Sequence, residues 1–161
     1  MTPDDRRTLT QAERGMDRVS GTIISFTVYG KSEPQGSTRA FIRGGKPITT
    51  SDNKGLKAWR EDVANVAQQH VPAEGLLDGA VVLRVRFEFF RPKSVSANKR
   101  PYHTVKPDLD KLIRAIGDAL KGKIYTEDAR VVKIDAMKVY GDQPRVSIQI
   151  YPYEGELKGA K

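Results

Sequence analysis

The chain has 161 residues and a net charge of +8, with 38% hydrophobic and 30% charged residues. That length suits one domain with one real core, and the apolar runs exclude a disordered chain. The lack of cysteine excludes a disulfide framework and thiolate zinc sites and fits a reducing cytoplasm. No apolar run approaches the roughly 18 residues that span a membrane.

Residues 1–20 balance four basic against four acidic residues and have no signal-peptide apolar stretch, so they read as a flexible tail. Ile23 to Tyr29 is β-branched and aromatic and predicts a strand ending at Gly30. Pro34-Gln35-Gly36-Ser37 reads as a loop. Arg39 to Thr50 reads as a hairpin, because Gly44-Gly45 supplies the positive φ angles of a tight turn. From Asp52 to His70, Leu56, Trp59, Val63, Val66 and Ala67 recur at helical spacing, with Ser51 or Asp52 as N-cap. Ala80 to Phe90 alternates Val81, Leu83, Val85, Phe87 and Phe89 with Arg84, Arg86 and Glu88, which predicts a strand with one core face and one charged face. Arg91 to Val105 is a polar loop. Asp108 to Lys121 carries the apolar stripe Leu109, Leu112, Ile113, Ile116, Ala119 and Leu120, with Gly122 as C-cap glycine. Val131 to Tyr140 and Arg145 to Tyr151 read as strands joined by a Gly141–Pro144 turn. The pattern predicts a single α+β domain over 21–152, a mixed β-sheet covered by two helices, followed by a short tail over 153–161.

The positive charge is concentrated. Between Arg84 and Lys106 seven basic residues face Glu88 alone, a net of +6 directly before an acidic stretch. Such a surface attracts polyanions, although charge by itself also fits a merely solvated face. The acidic stretch is Lys106-Pro107-Asp108-Leu109-Asp110-Lys111-Leu112-Ile113-Arg114, with Glu127-Asp128 further on. Carboxylates within a basic surface are what a protein needs to hold Mg²⁺ beside a phosphodiester. At about 100° per residue, Asp108 and Asp110 share a metal only if Asp108 precedes the first helical turn. Pro107 favours that placement. An ordinary helix start explains the same charges: Asp108 as N-cap, Asp110 as a first-turn acid, Arg114 as its i+4 ion-pair partner, and Glu127-Asp128 as turn acids.

Lys106 to Arg114, then Asp118-Ala119-Leu120 and Ile124 to Val132, together with Phe26 to Gly30 and Pro34-Gln35-Gly36, resemble the RusA family of Holliday-junction resolvases. The similarity runs from about Ile23 to Tyr151. It implies a RusA-like fold and a bacterial, prophage or phage endodeoxyribonuclease. It also implies a homodimer that uses Mg²⁺, with Mn²⁺ as a substitute, to cut four-way DNA junctions in recombination and repair. The family's two motif aspartates fall on Asp108 and Asp110, and its later aspartate on Asp128, with Glu127 as the alternative. Its essential basic residue falls on Arg114, where lysine is usual; Lys111 stands where asparagine is common. The expected roles are metal binding by Asp108, Asp110 and Asp128, transition-state charge compensation by Arg114, and backbone contacts from Arg91, Lys93, Lys99, Arg100, Lys106 and Lys111. This reading requires Asp108 at the helix start, beside Asp110 and within reach of Asp128.

Other chemistries have thinner support. His70 and His103 are the only histidines and read as surface or packed residues. Tyr29, Tyr102, Tyr125 and Tyr140 lack the basic cluster of a covalent tyrosine mechanism, and Trp59 belongs to a core stripe. A non-enzymatic basic DNA-binding module and a nuclease for other branched DNA are the rival functions.

Overall fold

The structure, a computed structural model, describes residues 21–36, 38–51 and 53–155. The tail over 1–20, the expected N-cap Asp52 and residues 156–161 lie outside the described residues. Strands β1 (Ile24–Tyr29), β2 (Thr38–Arg43), β3 (Lys46–Ser51) and β4 (Val81–Phe90) precede β5 (Val131–Gly141) and β6 (Arg145–Pro152). Helix α1 (Leu56–Gln68) lies between β3 and β4, and α2 (Leu109–Leu120) between β4 and β5. A 3₁₀ turn, Asp128–Arg130, leads into β5.

The main sheet has the order β1-β6-β4-β5, and β2-β3 forms a separate hairpin. Gly44 and Gly45 both have positive φ, 59° and 75°, which builds the expected tight turn. β6 pairs antiparallel with both β1 and β4, whereas β4 and β5 are parallel. β5 and β6 are thus joined by a short turn but held apart by β4. The reason is visible in β4, whose central position buries Val82 on one face and Val81, Leu83, Val85, Phe87 and Phe89 on the other.

Both helices cover one face of the sheet. Trp59, Val63 and Ala67 of α1 and Leu112, Ile116 and Leu120 of α2 join Phe26, Leu83, Phe87 and Ile148 in one core. α1 begins four residues later than the periodicity suggests, because Asn53 is already committed. Its Oδ1 accepts from the Gly55 backbone N–H at 3.0 Å, and its amide donates to Glu33 at 3.0 Å and to the Pro34 carbonyl at 2.9 Å. An Asx turn of this kind competes with the helix for the same backbone.

The opposite face is held by charge. Glu88, 6% exposed, accepts from Arg145 at 2.9 Å and Arg86 at 3.2 Å, while Arg84 pairs with Asp135 at 3.0 Å. Gly141 makes room for this. A Cβ at that position would lie 2.6 Å from Glu88 Oε2 and 3.2 Å from its Cβ. Gly141→Ala is therefore expected to destabilise the domain by about 1–3 kcal/mol, because the carboxylate must leave its arginines or the strands must part. Thermal unfolding checks this; an unchanged midpoint would mean that Glu88 moves aside without loss.

Candidate active site

The site is built at the start of α2. Asp108 is the N-cap residue, with extended backbone (φ −71°, ψ 138°), and Asp110 sits in the first turn. The expectation that Asp108 precedes the helix is met. Asp108 nevertheless makes no side-chain cap hydrogen bond; its carboxylate lies 3.5 Å from Lys111 Nζ instead. Nor does the i+4 pair form: Asp110 and Arg114 are exposed and make no ion pair with each other. The ordinary helix-start explanation thus loses both of its bonds. Two exposed carboxylates and a guanidinium remain, none spent on capping the helix.

Why α2 presents them is a matter of its apolar stripe. Leu112, Ala115, Ile116 and Leu120 are sealed against the sheet, which turns Asp110 and Arg114 to solvent. The start of the helix is anchored by Lys138 of β5, whose ammonium donates to the carbonyls of Val105 (2.6 Å) and Pro107 (2.8 Å). The Gln35 backbone N–H donates to the Lys111 carbonyl at 3.0 Å, which brings the 31–36 loop beside Asp108.

Asp128 is elsewhere. It lies in the 3₁₀ turn beyond the far end of α2, where it and Asp118 raise the Tyr125 pKa, after burial as the main cause. Lys121, the C-cap of α2, is raised chiefly by its hydrogen bond from ammonium to Glu127, 3.0 Å apart, and then by Glu127, Asp128 and Asp118 charge. Twelve helical residues at about 1.5 Å each separate the two ends of α2 by about 18 Å. The expected convergence of Asp128 on Asp108 and Asp110 therefore does not occur within one protomer. Among the described residues no group of three or more metal-ligating side chains forms. The chain does not swing back after α2 because Ile124 and Gly122 close a tight turn onto Leu120 and Tyr125. Glu127 is engaged with Lys121, whereas Asp128 is exposed and makes no ion pair.

Asp108 and Asp110 are hard oxygen donors and suit Mg²⁺, which is commonly held by one or two carboxylates and keeps several waters. The basic residues divide into two groups. Arg91 donates to the carbonyls of Arg100 and Pro101 and lies 4.0 Å over the Tyr140 ring, so it ties the loop together. Arg100 stacks more loosely on the same ring, at 5.8 Å. Lys93, Lys99 and Lys106 are exposed, and their ammonium groups make no ion pair.

Sequence reasoning passed over what lies behind the motif. A cavity of about 670 Å³ is lined by the 31–36 loop, Phe89, Phe90, Arg100, His103, Pro107, Asp108 and Tyr140. His103 is buried, stacked on Phe89 at 4.5 Å and tilted against Tyr140 at 4.9 Å. Its pKa is lowered first by burial and then by Lys138 and Arg100. The loop residues Pro34-Gln35-Gly36 were a signal of this site, but sequence gave no reason to bring them to Asp108.

Two outcomes follow from this placement. Because folding lowers the His103 pKa below its ordinary 6.5, the unfolded chain binds its proton first as pH falls. Its contribution to stability is complete above the ordinary value and is lost as pH drops through it toward the folded value. Between about pH 7.5 and 5.5 the thermal midpoint should fall, and less steeply in His103→Phe; equal slopes would refute the assignment. Lys93→Ala with Lys99→Ala should reduce the salt slope of DNA binding by about two at unchanged thermal midpoint, whereas Arg91→Ala should lower the midpoint too. A stable Arg91→Ala protein would show that the loop does not need this tie.

No helix among the described residues is long and apolar enough to cross a membrane. The sequence profile of the family Endodeoxyribonuclease RusA matches residues 31–151, which include the α2 motif, the basic loop and Asp128. The chain is also 38% identical over 136 residues to the "Uncharacterized protein YqaN" of Bacillus subtilis (strain 168), covering 79% of this chain and 94% of that protein. With the motif at the start of α2 and the match running through nearly all of the fold, the chain belongs to the RusA endodeoxyribonuclease family.

Proposed function

We propose that the protein is a Mg²⁺-dependent resolvase of four-way DNA junctions, acting in the cytoplasm as a homodimer whose active sites are shared between protomers. The observation that carries this is the arrangement of exposed, uncapped carboxylates: Asp108 and Asp110 at one end of α2, Asp128 at the other. One protomer supplies two ligands to a metal, and a third, Asp128, would come from a second copy.

The fold offers a way to do this. β5 is an edge strand, and Val132, Ile134 and Met137 on it are about half exposed. A long edge strand can take another strand through its unpaired backbone groups, with Val132, Ile134 and Met137 covered by the pairing. β5 runs from the Asp128 turn to Lys138, which holds the start of α2. Two β5 edges paired antiparallel about a two-fold axis would set the partner's Asp128 against this protomer's Asp108 and Asp110. Such a pairing makes two equivalent sites, which suits two equivalent strands.

Bound at this site, Mg²⁺ would supply Lewis acidity toward the phosphodiester and acidify water. Asp108 and Asp110 hold and orient. Arg114, one turn along and unpaired, faces the charge that develops on phosphorus; a guanidinium does this without exchanging a proton. Lys93 and Lys99 hold the backbone and give affinity rather than sequence readout.

The test is a mixing experiment on a synthetic junction with Mg²⁺ or EDTA. Asp110→Asn and Asp128→Asn should each lower cleavage by at least about a thousandfold while binding persists. Mixed and allowed to exchange, the two inactive proteins should regain nicking of one strand, because one of the two sites in each mixed dimer has all its carboxylates. No recovery in demonstrably mixed dimers would place Asp128 outside a shared site. A wild-type protein that binds in EDTA and never cuts in Mg²⁺ would be a binding module, and equal cutting of flaps, forks and junctions would remove the junction preference.

A further inference from the structure

Among the described residues, the β2–β3 hairpin belongs neither to the main sheet nor to the core. Residues 40–47 are all exposed, Ile42 to 78% and Phe41 to 45%. A two-stranded hairpin standing alone is marginal in water, so one that projects apolar side chains gains from a partner.

Its pairing sorts those side chains. Ile42 lies opposite Pro47, and Arg43 opposite Lys46, with Gly44-Gly45 as the turn. Because side chains alternate along a strand, Ile42 and Pro47 share one face while Arg43 and Lys46 share the other. The tip is thus an apolar pair backed by two cations.

We propose that this tip is a wedge that enters the branch point of a DNA junction and packs Ile42 and Pro47 on an open base-pair face, an inference that rests on the nuclease reading above. Charge selects nucleic acid as the partner. Residues 34–51 carry Arg39, Arg43 and Lys46 and no carboxylate. A second copy of this chain, at +8, is a poorer partner for them. The apolar pair then selects the part of the DNA. Phosphates offer isoleucine and proline nothing, whereas base-pair faces are apolar. In a continuous duplex those faces are covered by stacking, and a wedge must first break a stack. At a crossover the end pairs have already lost a neighbour. Isoleucine and proline are among the side chains that proteins insert between base steps.

The hairpin also stands in the right place. Its feet are fixed beside the proposed metal pair: the Gln35 backbone N–H donates to the Lys111 carbonyl at 3.0 Å, and the Asn53 amide holds Glu33 and the Pro34 carbonyl. Six-residue strands at about 3.3 Å per residue carry the tip about 20 Å from those feet. One protomer can therefore hold a phosphate at Asp108 and Asp110 and still reach the branch. Arg43 and Lys46, behind the wedge, meet the phosphates that converge there.

The test uses the full chain with Ca²⁺ replacing Mg²⁺ to prevent cutting. It compares a four-way junction with a linear duplex of the same arm sequence. Ile42→Ser, alone and with Pro47→Ser, should weaken junction binding by about tenfold or more and duplex binding by less than about twofold. Thermal midpoints should not move, because the tip touches no core residue. 2-Aminopurine, which brightens when it leaves the stack, is placed in each base pair bordering the crossover. At least one position should brighten about threefold or more with the wild-type chain, and the double variant should abolish the rise. Variants that keep the wild-type preference for the junction, or a wild-type complex in which no position brightens, overturn the wedge and leave the nuclease reading intact. Loss of the dimer in the Ile42→Ser protein, seen by sedimentation without DNA, would show that the tip covers a second copy and also overturns it. A wild-type chain that does not bind the junction at all overturns both the wedge and the nuclease reading.

Discussion

Leu112, Ile116 and Leu120 are fully sealed from solvent, and their burial fixes both the rotation and the position of α2 on the sheet. Each contributes about 1.5–3 kcal/mol, far more than an exposed ion pair could. The charged side of the helix therefore has no freedom to choose its orientation. Asp110 and Arg114 face water because the opposite flank is committed to the core. The same seating sets the distance between Asp108 and Asp128, since a helix of twelve residues is a rigid spacer between them.

That rigidity explains how a protein with a strongly basic loop keeps two exposed carboxylates beside it, one of them without an ion pair. Neutralisation was available: Arg114 is one turn from Asp110, and Lys111 one turn from Asp108. Only the second pair forms, at 3.5 Å and on the surface, where it contributes little. Arg91 of the basic loop is spent on the carbonyls of Arg100 and Pro101 and on the face of Tyr140. Asp110 is left without an ion pair and so open to an external cation.

Much of the fold was legible because its patterns are local. The alternation along β4, the stripe on α2 and the Gly44-Gly45 turn each follow from a few adjacent residues. The insertion of β4 between β5 and β6 did not, because strand order is decided by which apolar face gains most from a central position. At the site, the chain around Asp108 could be read from Pro107 alone. The distance to Asp128 was readable in principle from the length of α2, but seven extended residues could have carried Asp128 back. What prevents this is the turn in which Gly122 and Ile124 bond to Tyr125 and Leu120, a tertiary detail with no sequence signature beyond one glycine. The cavity was illegible for a simpler reason: its lining draws on residues 31–36, 100–103 and 140, three segments that only the sheet brings together.

A shared site has a consequence for control of the reaction. If each site draws Asp108 and Asp110 from one protomer and Asp128 from the other, no protomer carries a complete metal site before it pairs. Cleavage by stray monomers on linear DNA is then suppressed without any inhibitory element. Pairing also fixes the two sites in one rigid frame, because each end of α2 belongs to a different site and the helix cannot bend. The spacing between incisions would be set by the seating of α2 and the register of the β5 edges, both determined by apolar contacts. Substrate geometry would thus be encoded in the core rather than in the loops, and the loops would be left to grip the backbone.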